Sequence, residues 1–142
     1  MTVLVDTNLF VRLLVGIKND EARHLLQTAK TLFRAAERGD LDFTTSEAVV
    51  AEVVFALTSV YGFDRERISA GLTGLLSLQG CVMPTRDACT EALQVWMTTK
   101  ALSFVDALLA VTATRSGFEL ATLDDKLGRY STAPIWTSGE ND

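Results

Sequence analysis

An α/β sandwich built on parallel strands is the fold class this sequence predicts, and three observations predict it. Short apolar, β-branched runs alternate along the chain with longer stretches of helical length. Strands that alternate with helices need crossover connections, which make neighbouring strands parallel. The 142 residues suit a single domain over 1–142, and 48% of them are apolar, enough to fill its core.

The elements follow in order. Residues 2–5 are a β-branched run ending at Asp6, the first predicted strand. Residues 8–15 read as a helix, and a polar turn at 16–20 leads to a second helix over 21–38, stopped by Gly39. Residues 41–44 form the second strand. An apolar helix over 46–61 ends before Gly62, and another over 65–78 precedes Gly80. A third strand at 81–83 stops at Pro84. Helices are predicted over 87–98 and 104–116, with Gly117 closing the second. A fourth strand covers 119–123, a short segment 125–130 follows it, and 134–137 form a fifth. No repeat, low-complexity tract or interdomain linker is visible.

Composition narrows the function. Mean hydropathy is only +0.21, and no run reaches the roughly 18 apolar residues of a membrane span. The opening residues meet Asp6 at once and do not read as a signal peptide. Cys81 and Cys89 are too few for a disulfide scaffold and lack zinc-site spacing, so a reducing, cytoplasmic compartment is expected. A single histidine, His24, excludes His-rich metal sites. The net charge of −5 argues against holding nucleic acid by bulk electrostatics, unless metal ions neutralise the site.

The acids stand in unusual places. Asp6 and Asp124 directly follow predicted strands one and four, where α/β sheets form their sites. Glu52 shares a helix face with Ala48, Val49, Phe55 and Ala56, which predicts that this face is buried. Asp106 lies in the apolar stretch 104–110. An unpaired carboxylate buried there costs several kcal/mol, so it protonates or finds a partner. Each acid but Glu52 also has a capping explanation. Asp6 and Asp124 can cap the segments that follow them, and Ser103 with Asp106 fits a capping box. Glu47, three residues after Thr44, fits a capping box and is read as structural. For Glu52 the structural reading is an ion pair with a distant arginine. The functional reading takes the four together. Oxygen-rich ligation suits Mg²⁺ or Mn²⁺. Two such ions about 4 Å apart activate water and stabilise a leaving oxygen in phosphodiester hydrolysis.

These residues, in this order, resemble the PIN domain, most closely the small bacterial VapC-type toxins. Val5-Asp6-Thr7-Asn8 resembles the family's opening motif. The segments 46–54, 103–110 and 121–124 are similar to the second, third and fourth, with acids at Glu52, Asp106 and Asp124. The resemblance implies a three-layer α/β/α sandwich with a central, mostly parallel sheet. It implies an Mg²⁺- or Mn²⁺-dependent endoribonuclease, the toxin of a type II toxin–antitoxin pair. Asp6, Glu52, Asp106 and Asp124 would be its catalytic metal ligands, with Asn8 and Thr122 in support. It further implies a homodimer and a cognate antitoxin. Asp125 departs from many relatives, and residues 16–23 have no clear counterpart.

The 13 Lys and Arg are scattered, so each of Arg12, Lys18, Arg23, Lys100, Lys126 and Arg129 reads first as solvated surface. Trp96, Trp136, Tyr61 and Phe63 read as core or interface, with core the default for each. Two other readings compete with the toxin. One is a PIN nuclease that matures RNA without an antitoxin. The other is a metal-binding interaction module without nuclease activity. An aspartyl phosphatase ranks below both, because Asn8 stands where its second acid belongs.

Overall fold

The computed structural model describes residues 1–16 and 20–139. The chain folds as two compact units, Met1–Thr90 and Glu91–Asp142.

In the first unit, β1 (Val3–Leu4) pairs in parallel with β2 (Phe43–Thr44), in the register Val3 to Phe43 and Leu4 to Thr44. Helices α1 (Thr7–Val15) and α2 (Asp20–Glu37) form the crossover between them. Cys81 adds a parallel bridge on the other side of Phe43. The Phe43 N–H donates to Gly80 O at 2.8 Å, and the Val82 N–H donates to Phe43 O at 2.8 Å. Phe43 is therefore paired on both edges and fully buried. Its ring meets Phe33 edge-on at 5.6 Å and Phe10 at 6.4 Å, which centres the core between strand and helices. Helix α3 (Glu47–Ser59) buries Val50, Val53, Val54 and Leu57, and α4 (Arg65–Leu76) follows it.

Helix α5 (Arg86–Thr98) carries the chain into the second unit. There α6 (Phe104–Ser116) starts at Ser103 and ends on Gly117, whose φ of 70° is the left-handed C-cap conformation. Helix α7 (Asp125–Tyr130) packs against α6. Leu102, Ala110, Ala113, Leu120, Leu127 and Ala133 form this unit's core, with Val95 against it. Among the described residues no helix is long and apolar enough to cross a membrane.

Every helix predicted from the sequence is present, with ends shifted by at most two residues. The turn expected at 16–20 lies mostly outside the described residues. The strands are shorter than expected. Among the described residues the sheet has two strands, and predicted strands three, four and five each shrink to one bridging position, Cys81, Leu120 and Ile135. Proline accounts for part of this. Pro84 and Pro134 have no N–H to extend a ladder past Met83 or to lead into Ile135. The capping box expected from Thr44 to Glu47 is also corrected. Ser46 is the N-cap, its Oγ accepting from the Val49 N–H at 3.2 Å, and Glu47 is the first residue of the helix.

Cys81 and Cys89 are free and buried. Burial, with the Glu47 carboxylate adding to it, pushes the Cys89 thiol up from 9.0 to about 11. The folded state therefore holds the neutral thiol where the unfolded chain would already ionise. This stability is intact below pH 9 and is lost as pH rises from 9 towards about 11. The wild-type chain is expected to lose on the order of 2–3 kcal/mol more across that window than Cys89→Ala. Denaturant titrations at stepped pH measure it, and parallel curves for the two proteins would refute it.

Candidate functional site

The first unit positions two of the four acids through one threonine. Asp6 leaves β1 and caps α1, its Oδ1 accepting from the Thr7 N–H at 2.7 Å. Thr7 is buried, and its hydroxyl donates to Glu52 Oε2 at 2.9 Å. One residue thus orients Asp6 with its backbone and Glu52 with its side chain. Nearby, the buried Thr45 hydroxyl donates to Val5 O at 2.8 Å, tying the end of β2 to the residue that presents Asp6. Asn8 is exposed in the first turn of α1.

Glu52 does not lie on a buried face, as its sequence neighbours predicted. Glu52 and Ala48 are exposed, Phe55 is 67% exposed, and Val49 and Ala56 are half-buried. The core contacts of α3 run instead along Val50, Val53, Val54 and Leu57. The helix is apolar nearly all round, so sequence alone did not tell its inner face from its outer one. Glu52 has no ion pair among the described residues. Its partner is Thr7, a residue of the opening motif for which the sequence predicted no role.

The second unit holds the other two acids, and both are caps as well. Ser103 and Asp106 form a reciprocal capping box. The Asp106 N–H donates to Ser103 Oγ at 3.1 Å, and the Ser103 N–H donates to Asp106 Oδ2 at 3.3 Å. Asp124 caps α7, its Oδ1 accepting from the Lys126 and Leu127 N–H groups at 2.8 and 3.3 Å. The Thr122 hydroxyl accepts from the Asp124 N–H at 3.0 Å, so it shapes the turn that presents this acid. Thr122, Asp124, Asp125 and Arg129 line a cleft of about 680 Å³. Lys126 and His24 are exposed, and Lys18 lies outside the described residues.

The four acids share one feature. Each commits one carboxylate oxygen to a hydrogen bond, with a sequence neighbour for the three aspartates and with Thr7 for Glu52, and leaves the other without one among the described residues. Capping and ligation are therefore compatible. That bond fixes the carboxylate's direction, and the second oxygen remains a hard anionic donor of the kind Mg²⁺ and Mn²⁺ take. The donor chemistry fits such an ion. Among the described residues no group of three or more His, Cys, Asp or Glu is arranged to hold a metal. What the geometry joins is Asp6 and Glu52, through Thr7, while Asp106 and Asp124 are each placed by a local cap within the second unit.

Comparison with family models matches residues 3–132 to the PIN domain. The chain belongs to the PIN domain family. A comparison with curated proteins gives no match. All four acids fall inside the matched stretch, as do Thr7 and Thr122. PIN domains are in general metal-dependent nucleases, and PIN nucleases act on RNA. In this PIN domain the α/β class is the one expected from sequence, with seven helices and a small parallel sheet among the described residues.

Proposed function

We propose that this PIN domain is an Mg²⁺- or Mn²⁺-dependent endoribonuclease that hydrolyses RNA phosphodiester bonds, with Asp6, Glu52, Asp106 and Asp124 as its catalytic metal ligands. The observation that carries the reading is the half-committed state of these carboxylates within the PIN stretch. A bound divalent ion would supply Lewis acidity to the phosphodiester and to an attacking water. The chain's own residues do the positioning. Thr7 holds Asp6 and Glu52, the Ser103 capping box holds Asp106, and Thr122 shapes the turn under Asp124. Asn8, in the first turn of α1, is assigned to support Asp6. Convergence of the four acids belongs to this proposal, as does the three-layer α/β/α arrangement. The parallel direction of both isolated bridges supports the latter. The motif order from Asp6-Thr7-Asn8 to Thr122-Leu123-Asp124 supports the finer reading of a VapC-type toxin, homodimeric and neutralised by a cognate antitoxin.

The test is cleavage of total cellular RNA by the purified protein, with Mg²⁺, Mn²⁺ or chelator, beside Asp106→Asn. Discrete fragments that need both the metal and Asp106 are the expected result. The amide keeps an oxygen for the Ser103 N–H, so the variant stays folded. Equal cleavage by Asp106→Asn, or cleavage in chelator, overturns the reading.

A further inference from the structure

We propose that Trp136 is a nucleobase-stacking residue that seats an unpaired base of single-stranded RNA beside Asp124. The inference rests on the nuclease reading and names the form of substrate that its Asp124 side accepts.

Trp136 was expected in the core, and it is not there. It is 53% exposed, whereas Trp96 is 3% exposed and packs edge-on against Phe104. Trp136 is also not at the end of a loose tail. Its N–H donates to Leu120 O at 3.0 Å, and the Leu120 N–H donates to Pro134 O at 2.8 Å, so the backbone beneath it is paired on both sides of Ile135. Beside it Leu123 is fully exposed. An indole on a paired backbone and an isobutyl group, both turned to water, are costly unless something covers them.

The space between them has a shape. Ala121, Thr122, Leu123, Trp136, Thr137 and Ser138 line a cavity of about 550 Å³. Thr122 and Leu123 also line the Asp124 cleft, so the two spaces share a wall. That cleft is also lined by Arg129, an exposed cation whose Nε donates to Asp125 O at 3.3 Å. In the space of one short segment the unit therefore offers a flat π face, hydroxyl groups, a carboxylate assigned to catalysis and a guanidinium. This is the donor set that a nucleotide asks for. The base stacks on the indole, the hydroxyls meet its edge or its ribose, and the guanidinium pairs with a phosphate. A base inside a duplex cannot leave its stack to reach the indole without unpairing, so the site favours single strands. A second copy of the chain would also cover an exposed tryptophan. A mostly apolar cavity that shares Thr122 and Leu123 with a cleft carrying Asp124 and Arg129 sets a stacking face beside a carboxylate and a guanidinium, which suits a nucleotide better than a dimer face.

The tryptophans make the test direct, because Trp136 is the exposed one of the two. A short single-stranded oligoribonucleotide of mixed sequence, added with Mg²⁺ to the Asp106→Asn variant so that it is not cut, is expected to quench that variant's fluorescence. The same sequence annealed as a duplex is expected to quench far less, and Trp136→Phe in that variant is expected to lose the signal. In cleavage assays Trp136→Ala is expected to raise KM about ten-fold or more with kcat little changed, and Trp136→Phe to restore most of the loss. Thermal melts should match wild type for both, since the side chain is exposed. Metal-dependent cleavage without quenching, and with wild-type KM in Trp136→Ala, overturns this inference and leaves the nuclease intact. Quenching by single strands without cleavage under any metal does the reverse. A dimer that Trp136→Ala dissociates, with KM unchanged, makes the face an interface between copies and also overturns it.

Discussion

Asp6→Asn and Asp124→Asn are expected to lose RNA cleavage by a factor on the order of 10² or more while melting as the wild type does. The alanine variants at the same positions are expected to lose both activity and stability. The reason lies in the two uses of each carboxylate. Asp6 Oδ1 accepts from the Thr7 N–H, and Asp124 Oδ1 accepts from the Lys126 and Leu127 N–H groups. An asparagine oxygen makes the same bonds, and asparagine ranks with aspartate as an N-cap. What the amide lacks is the negative charge that a divalent ion needs from its ligand. Alanine removes charge and cap together, and a lost cap costs about 1 kcal/mol, a fall of several degrees in Tm. Cleavage rates and thermal melts on the four variants separate the two uses. If the asparagine variants cleave as well as wild type, these acids are helix caps and nothing more.

This double use explains how much of the site was legible in the sequence. The position of Asp6 was readable because a β-branched run marks the strand it ends, and Ser103 announced the cap at Asp106, whereas the strand expected before Asp124 shrank to the bridge at Leu120. Both the capping and the functional reading were open for these acids, and the structure shows the capping one to be true without displacing the other. Glu52 was the acid whose surroundings misled. Neighbours three and four residues away report which face a side chain is on, but not which face is inward when every face is apolar. Only the fold decides that, through the contacts of Val50, Val53, Val54 and Leu57. Thr7 was hidden for a different reason. Its bond to Glu52 spans 45 residues, and no local pattern encodes such a pairing. The helices were legible because their caps and glycine stops are local. The strands were overestimated because apolar runs record burial, whereas a ladder needs a partner with a free N–H. Trp136 reversed the default for its type, since an aromatic side chain carries no sequence mark that separates core from surface.

Three glycines in the first unit set a graded expectation for stability, with Gly80→Ala the most damaging. Gly80 sits where α2, the chain before β2 and the bridge at Cys81 meet. Its N–H donates to Ala36 O at 2.9 Å and its carbonyl accepts from the Phe43 N–H at 2.8 Å. A methyl group there would fall 2.0 Å from Leu41 O and 3.0 Å from Ala36 Cα. Both are backbone atoms, fixed by the hydrogen bonds on either side, so neither yields as a side chain would. Relief requires pulling Phe43 from the centre of the core. The expected cost is on the order of 3 kcal/mol or more, a large part of the 5–15 kcal/mol that holds a typical domain folded. At Gly71 the methyl would meet only Leu14 Cδ2, at 2.8 Å, and a rotamer change accommodates it at a smaller cost. At Gly74 nothing lies within 4 Å, and the position is inside α4 and exposed, so alanine there is expected to stabilise by about 0.5–1 kcal/mol. The same chemical change thus runs from unfolding to stabilisation as the neighbour changes from backbone to side chain to water. Thermal melts of the three variants check the order. A Gly80→Ala protein that melts within a degree or two of wild type would overturn both the close packing of Leu41 O and Ala36 Cα against Gly80 and the placement of Phe43 at the centre of the core.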